Sequence, residues 1–209
     1  MYGTDTSRIA PVYELFFAPL EVEFEPNVFE RIQSAYIMSK FGHHDQKRDD
    51  GSRYFDHPKG ACWIYINELN GRDPQIIIDL LLHDMQEDSR LLSPYRIALN
   101  FGKEVALDVR AVTKIPKKKE SVEAYLTRII TRGERAIVAK LCDRLHNLRT
   151  LNASSKEKQV RQIKETREHY LPTLILALDR AGGRWTELAN ILGEKIEEAL
   201  NVIEKLQEA

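Results

Sequence analysis

Residues 80 to 89 read LLLHDMQEDS, an apolar run that ends in His83, Asp84, Glu87 and Asp88. Their offsets of i, i+1, i+4 and i+5 place all four on one flank if the segment is helical. Burying several ionisable groups is costly unless each is paired or meets a cation, so the cluster needs a partner. Three other places break an apolar pattern with potential ligands: His57 in FDHP, Asp143 in KLCDRLHNLRT, and the pair His43 and His44. His57 precedes Pro58, which predicts an extended position just ahead of a helix, where a side chain can enter a cleft. Asp143 lies within AIVAKLCDRLHNL, apolar on most sides, so its carboxylate is either salt-bridged to Lys140 or Arg144 or turned toward a metal. His43 and His44 are expected as exposed helix-end residues, and His146 as a residue behind the ligands or in the packing.

Together His57, His83, Asp84 and Asp143, in the order H…HD…D, offer two imidazoles and two carboxylates to one centre. A mixed nitrogen and oxygen set that keeps water in its open positions suits Mn²⁺ or Fe²⁺ better than a closed tetrahedral Zn²⁺ site. A divalent ion so held activates water and neutralises a phosphoryl oxygen, which implies phosphoester or phosphoanhydride hydrolysis. Glu87 and Asp88 lie one turn beyond His83 and Asp84. Further ligands would crowd the ion, so Glu87 is expected as general base and Asp88 as its orienting neighbour. The competing reading is an acidic helix end in solvent.

These residues need a scaffold, and the sequence describes an all-α one. Nearly every segment carries a 3.6-residue apolar period and almost none alternates as a strand would. Helices are predicted at residues 26–41, 58–69, 74–87, 94–101, 103–113, 121–131, 134–151 and 156–180, several opening at a proline suited to a first turn. Residues 180–184, RAGGR, form a break. Beyond it Leu188, Ile191, Leu192, Ile196, Leu200, Ile203 and Leu206 make one stripe, which either caps the core or forms a dimer contact. The domain expectation is an N-terminal arm at 1–25, a core at 26–180 and an amphipathic C-terminal helix at 181–209 packed on it.

With 209 residues the chain is long enough for one sizeable core. A net charge of −1 gives no electrostatic footprint for duplex nucleic acid or an anionic membrane. No signal peptide or membrane span is evident, and Asp79 interrupts the most apolar run. The two cysteines, Cys62 and Cys142, sit in apolar helical patterns and fit a reducing cytoplasm.

The H…HD…D pattern resembles the HD superfamily of metal-dependent phosphohydrolases. A narrower likeness is carried by GHHDQKRDDGSRYFDHP (42–58), LLLHDMQEDS (80–89), FGKEVALDVRAVTK (101–114) and AKLCDRLHNLRTL (139–151). In this order they are similar to the hydrolase domain of RelA/SpoT-type alarmone enzymes, over residues 34 to 151. The resemblance implies an HD-domain bundle of roughly eight to ten helices, metal ligands His57, His83, Asp84 and Asp143, and Glu87 and Asp88 handling the nucleophilic water. It also implies removal of the 3′-pyrophosphate from guanosine tetra- or pentaphosphate to give GDP or GTP, usually with Mn²⁺. Relatives without hydrolase activity typically lose the HDxxED carboxylates, and both are present here.

Arg48 matches an arginine that packs on the purine, and Asn147 and Thr150 match positions on the nucleoside side. Asp49 departs from the pattern, standing where lysine is common. Lys114, or one of Lys117, Lys118 and Lys119, is expected to meet the 5′ phosphates, since a flexible ammonium suits a polyphosphate. Ending at Ala209, the chain is expected to be a free-standing small alarmone hydrolase, a monomer or homodimer. Two other readings stand beside it. One keeps the metal site with an adenosine analogue or NADPH as substrate. The other is a non-catalytic alarmone-binding module, which would have no use for a water-activating pair.

Overall fold

A computed structural model describes residues 11–88, 93–114 and 119–208, with the side chains of Glu87, Asp88 and Glu208 outside that description. Among the described residues there is no strand, only one isolated antiparallel bridge between Lys47 and Arg53. The chain is all-α. Its helices are α1 (Tyr13–Glu21), α2 (Pro26–Gly42), α3 (Asp56–Trp63), α4 (Pro74–Leu82), α5 (Met85–Asp88), α6 (Pro94–Phe101), α7 (Lys103–Val112), α8 (Val122–Arg132), α9 (Glu134–Arg149), α10 (Lys156–Glu165), α11 (Leu176–Arg180) and α12 (Arg184–Glu208).

The bundle is organised around α9. Ala136, Ile137, Val138, Ala139, Leu141, Cys142, Leu145 and Leu148 are all buried, and these positions circle the helix completely. A helix apolar on every side belongs in the middle of a core. Helices α3, α4, α7, α8 and α12 pack against it. Its polar residues Lys140, Asp143, Arg144 and His146 are therefore buried as well and must be satisfied by one another or by the neighbouring helices.

Helix α4 is similar: residues Ile76 to Leu82 are buried throughout, Asp79 included. Asp73 caps its start by accepting from the Gln75 amide, and Pro74 supplies the fixed first-turn backbone. The periodicity predicts one helix over 74–87, whereas α4 stops at Leu82 and α5 resumes at Met85. The interruption falls on His83 and Asp84. In an unbroken helix two consecutive side chains diverge by about a quarter turn. A turn at this dipeptide lets both face one point.

His57 also differs from expectation. It lies inside the first turn of α3 rather than in extended chain ahead of it, because α3 starts at Asp56 and takes Pro58 within its first turn. Helix α3 runs into a wider turn at Ile64–Glu68, where the Leu69 amide donates to Ile64 O five residues back. A longer wide turn, Thr166–Ile175, joins α10 to α11 and accommodates Pro172. The predicted arm at 1–25 contains α1, whose Phe16 and Phe17 rings pack against Tyr36 at 5.2 and 5.1 Å. Residues 1–10 lie outside the described residues. Along α12, Leu192, Ile196, Leu200 and Ile203 are buried while Leu206 is exposed, so the stripe caps the core over most of its length.

Candidate metal centre

Helices α3 and α9 and the α4–α5 turn bring the H…HD…D side chains together. His57 Nε2 and His83 Nε2 are 3.3 Å apart. The Asp143 Oδ1 atom lies 3.0 Å from the first and 3.4 Å from the second. Asp84 places Oδ2 3.3 Å from His57 Nε2 and Oδ1 3.2 Å from His83 Nε2. His57, His83 and Asp143 are buried, and each directs one ligand atom at a common point compact enough for a single ion.

The surrounding hydrogen bonds fix how these groups point. His83 Nδ1 is 2.8 Å from Leu80 O. A carbonyl oxygen only accepts, so the proton of the neutral ring sits on Nδ1 and the Nε2 lone pair faces the centre. His57 Nδ1 is 2.9 Å from His146 Nδ1. Burial, reinforced by His57, pushes His146 well below the usual histidine range, so it stays neutral and can accept from His57 Nδ1–H. Gly60 makes room for the His146 ring, since a Cβ on it would lie only 2.2 Å from His146 Nε2. The Tyr54 hydroxyl donates to Asp84 Oδ2 at 3.0 Å.

Asp143 makes the salt bridge to Lys140 with one oxygen and turns the other toward His57 and His83. Its Oδ2 accepts from Lys140 Nζ at 2.5 Å, and its Oδ1 accepts from Asn147 Nδ2 at 2.6 Å while facing the histidines. Arg144 turns away, 3.7 Å over the Tyr170 ring and bonded to Gln162. Burial works against the charge on Lys140, but Asp143 outweighs it and raises the lysine well above its ordinary value.

Burial likewise opposes ionisation of Asp84 and Asp143. The histidines beside both, and Lys140 beside Asp143, nonetheless hold them well below the usual carboxylate range. His83 is driven the other way: burial disfavours its cation, yet the two carboxylates raise its pKa well above the ordinary value. Two carboxylates and two inward-facing imidazole nitrogens thus create a demand for positive charge at their centre. The donor set is that of a divalent ion with mixed nitrogen and oxygen ligands, and the residues fit one.

The expected substrate residues also meet. Arg48 NH2 donates to Asn147 Oδ1 at 3.2 Å and to Thr150 Oγ1 at 3.0 Å. Because Asn147 also holds Asp143, a continuous set of hydrogen bonds leads from the metal centre to the Arg48 guanidinium. Lys114 lines a small cavity of about 50 Å³ with Tyr125, Glu165 and Tyr170, near enough to the metal centre to feel the charge of Asp143. It keeps an exposed surface, yet desolvation holds its ammonium below the ordinary value, with Tyr170 opposing and Lys140 and Arg144 reinforcing the effect. Lys119 is exposed, and Lys117 and Lys118 lie outside the described residues. The backbone of α5 carries Glu87 and Asp88 one turn past the ligand dipeptide, while their side chains are among those outside the description.

Some contributions were not read from the sequence. His43, expected at the surface, is buried: its ring stacks on Tyr54 at 4.8 Å and its Nδ1 lies 2.6 Å from Gln46 Oε1. Its helix end folds under the loop that carries Arg48, which local patterning does not reveal. His44 is exposed as expected, stacked on Phe41. Tyr54 entered only as part of the 42–58 motif, without a role, and Gly60 was not singled out. A further signal was their position, three residues to either side of His57.

A family model for the HD domain matches residues 35–173. The guanosine-3′,5′-bis(diphosphate) 3′-pyrophosphohydrolase of Aquifex aeolicus is 41% identical over 152 residues, covering 70% of this chain and 21% of that protein. A GTP pyrophosphokinase of Streptomyces antibioticus is 37% identical over 157 residues, 72% of this chain and 18% of the other. The chain therefore spans about a fifth of the length of these curated relatives. Among solved structures, a metazoan ortholog of SpoT described as hydrolyzing ppGpp superposes with a TM-score of 0.65 at 23% identity, covering 82% of this chain and 94% of that one. That likeness establishes the fold. The matched span contains His57, His83, Asp84 and Asp143, and the chain belongs to the HD domain family.

Proposed function

We propose that this protein removes the 3′-pyrophosphate of guanosine tetra- or pentaphosphate with the help of Mn²⁺, giving GDP or GTP and pyrophosphate. The observation that carries the reading is the linkage of two sites. Asn147 bonds at once to Asp143 in the metal centre and to Arg48, whose flat guanidinium suits a purine face. The names of the Aquifex and metazoan proteins support the same chemistry.

His57, His83, Asp84 and Asp143 would hold the ion. When bound, it supplies a Lewis acid that polarises a phosphoryl oxygen and the attacking water. The chain's own groups do the rest. Lys140 and Asn147 keep the Asp143 carboxylate oriented, and Tyr54 does the same for Asp84. Glu87 is assigned as the base that takes a proton from water, with Asp88 beside it. Water oxygen adds to the phosphorus on the ribose 3′-oxygen, that P–O bond breaks, and the 3′-oxygen leaves as a hydroxyl with the proton. Lys114 is assigned to the 5′ phosphates. Core 26–180 with helix 181–209 packed on it is the unit that acts.

The test is incubation of purified protein with guanosine tetraphosphate, its adenosine counterpart and NADPH, with Mn²⁺ or with EDTA, resolved by anion exchange. Equimolar GDP and pyrophosphate from the guanosine compound, abolished by EDTA, is the expected result. Turnover confined to NADPH, or no Mn²⁺-dependent product, would overturn the assignment.

A further inference from the structure

Moving outward from the metal centre, the hydrogen bonds pass from Asp143 to Asn147 and from Asn147 to Arg48, with Thr150 at its side. They end at a cavity of about 140 Å³ whose rim is formed by Asp49, Ser154 and Lys158. Asp49 Oδ2 accepts from Ser154 Oγ at 2.5 Å and from Lys158 Nζ at 2.7 Å. These two bonds fix a carboxylate that would otherwise swing on an exposed loop. They also hold its pKa below the ordinary aspartate value, so it is charged at neutral pH.

The loop itself is tight. Arg48 N donates to Ser52 O, Gly51 N donates to Arg48 O with Gly51 at φ 81°, and Asp50 is spent on the Ser52 amide. Asp49 is thus the carboxylate of the rim that its own turn does not consume, and its Oδ1 carries no hydrogen bond among the described residues.

We propose that Asp49, braced by Ser154 and Lys158, reads the edge of the base and selects guanine over adenine. This deepens the nucleotide-hydrolase reading above and rests on it. If phosphate occupies the metal centre and the sugar lies by Asn147 and Thr150, a base stacked on Arg48 turns its pairing edge toward the rim. Guanine presents N1–H and the N2 amino group side by side, two donors that match an acceptor-only carboxylate, with O6 next to them for the Lys158 ammonium. Adenine presents the N1 lone pair where guanine has N1–H, and a carboxylate oxygen repels it.

The experiment measures equilibrium binding of GDP, IDP and ADP to the full chain by calorimetry at constant Mn²⁺ and salt, for the wild type, Asp49→Asn and Lys158→Gln. One bidentate base contact is worth about tenfold or more in discrimination. The wild type should prefer GDP to ADP by at least that factor, with IDP between them because it lacks the N2 amino group. Asp49→Asn should bring the GDP/ADP ratio close to one, mostly by weakening GDP. Lys158→Gln should lower the ratio less, by loosening the carboxylate. A wild-type ratio near one, a preference for ADP, or an unchanged ratio in Asp49→Asn would each overturn the proposal. Binding is read without turnover, so a preserved ratio in a protein that hydrolyses nothing would sink the hydrolase assignment and leave base selection standing.

Discussion

Replacing Lys140 by methionine tests whether the metal centre is held in shape by a buried ion pair. The stem is nearly the same length, so packing against Tyr125, whose ring centre is 5.6 Å from the ammonium, is largely kept. The loss falls on Asp143 Oδ2, which accepts from Lys140 and is buried beside two histidines. Removing one partner of a buried pair costs about 3–5 kcal/mol, because the other charge is left without compensation. For a chain of this size each kcal/mol moves the melting temperature by about 2–4 °C, so Lys140→Met should melt on the order of 10 °C lower in EDTA. Excess Mn²⁺ should recover part of the loss, since a bound cation gives the stranded oxygen a new partner. The assay is thermal and denaturant unfolding of Lys140→Met, Asp143→Asn and the double variant. Coupled residues deviate from additivity by about 0.5–3 kcal/mol, with the double variant less destabilised than the sum. Additive effects, or a melting shift of only a degree or two, would refute the claim that this pair organises the site.

Three further outcomes follow from other parts of the bundle. Gly60→Ala should displace His146 and so loosen His57, lowering Mn²⁺ affinity by about 10–100-fold in a protein that still folds; calorimetric titration with the ion checks it. Asp79→Asn should stabilise the protein at neutral pH. Burial, and then Asp108, push Asp79 well above its ordinary value, so the fold keeps a proton that the unfolded chain releases as pH rises past about 4. Its contribution is complete in acid and lost with rising pH, and the melting gain of the variant should therefore grow from pH 5 to pH 8. Glu68→Gln should act with the opposite sign. Burial opposes the charge on Glu68, but Arg149 and Lys195 prevail and lower its pKa. Its stabilisation, about 1.5–3 kcal/mol for hydrogen bonds to a charged group, is present at neutral pH and lost as pH falls below about 4. Denaturant melts at pH 7 and at about pH 3 should show the gap between Glu68→Gln and the wild type closing in acid.

How much of this was legible in the sequence depends on whether the signal was local. The candidate ligand cluster was: an aspartate amid the apolar turns of α9 and a histidine–aspartate pair after Leu82 are anomalies that need no neighbours to be noticed. Helix starts at Pro26, Pro74 and Pro94 were readable because proline fixes the first turn. What escaped was tertiary. Nothing near His83 announces the turn that interrupts α4, because Leu, His, Asp and Met all sit comfortably in a helix. The depth of His43 depends on Tyr54 closing over it, and Lys140 was readable as a salt bridge but not as a brace for a ligand. Helix α1 was missed because it is short and carries Pro19, although its aromatic residues fill a corner of the core.

The three buried candidate ligand atoms come from positions 57, 83 and 143, on α3, in the α4–α5 turn and on α9, elements whose apolar faces are satisfied by one another. No local segment supplies more than two of the four groups, so an ion would meet the complete set only after the bundle has closed. The cation is then a passenger of the finished architecture: a chelator should strip it and resupply should restore it, cycle after cycle, with helical content unchanged.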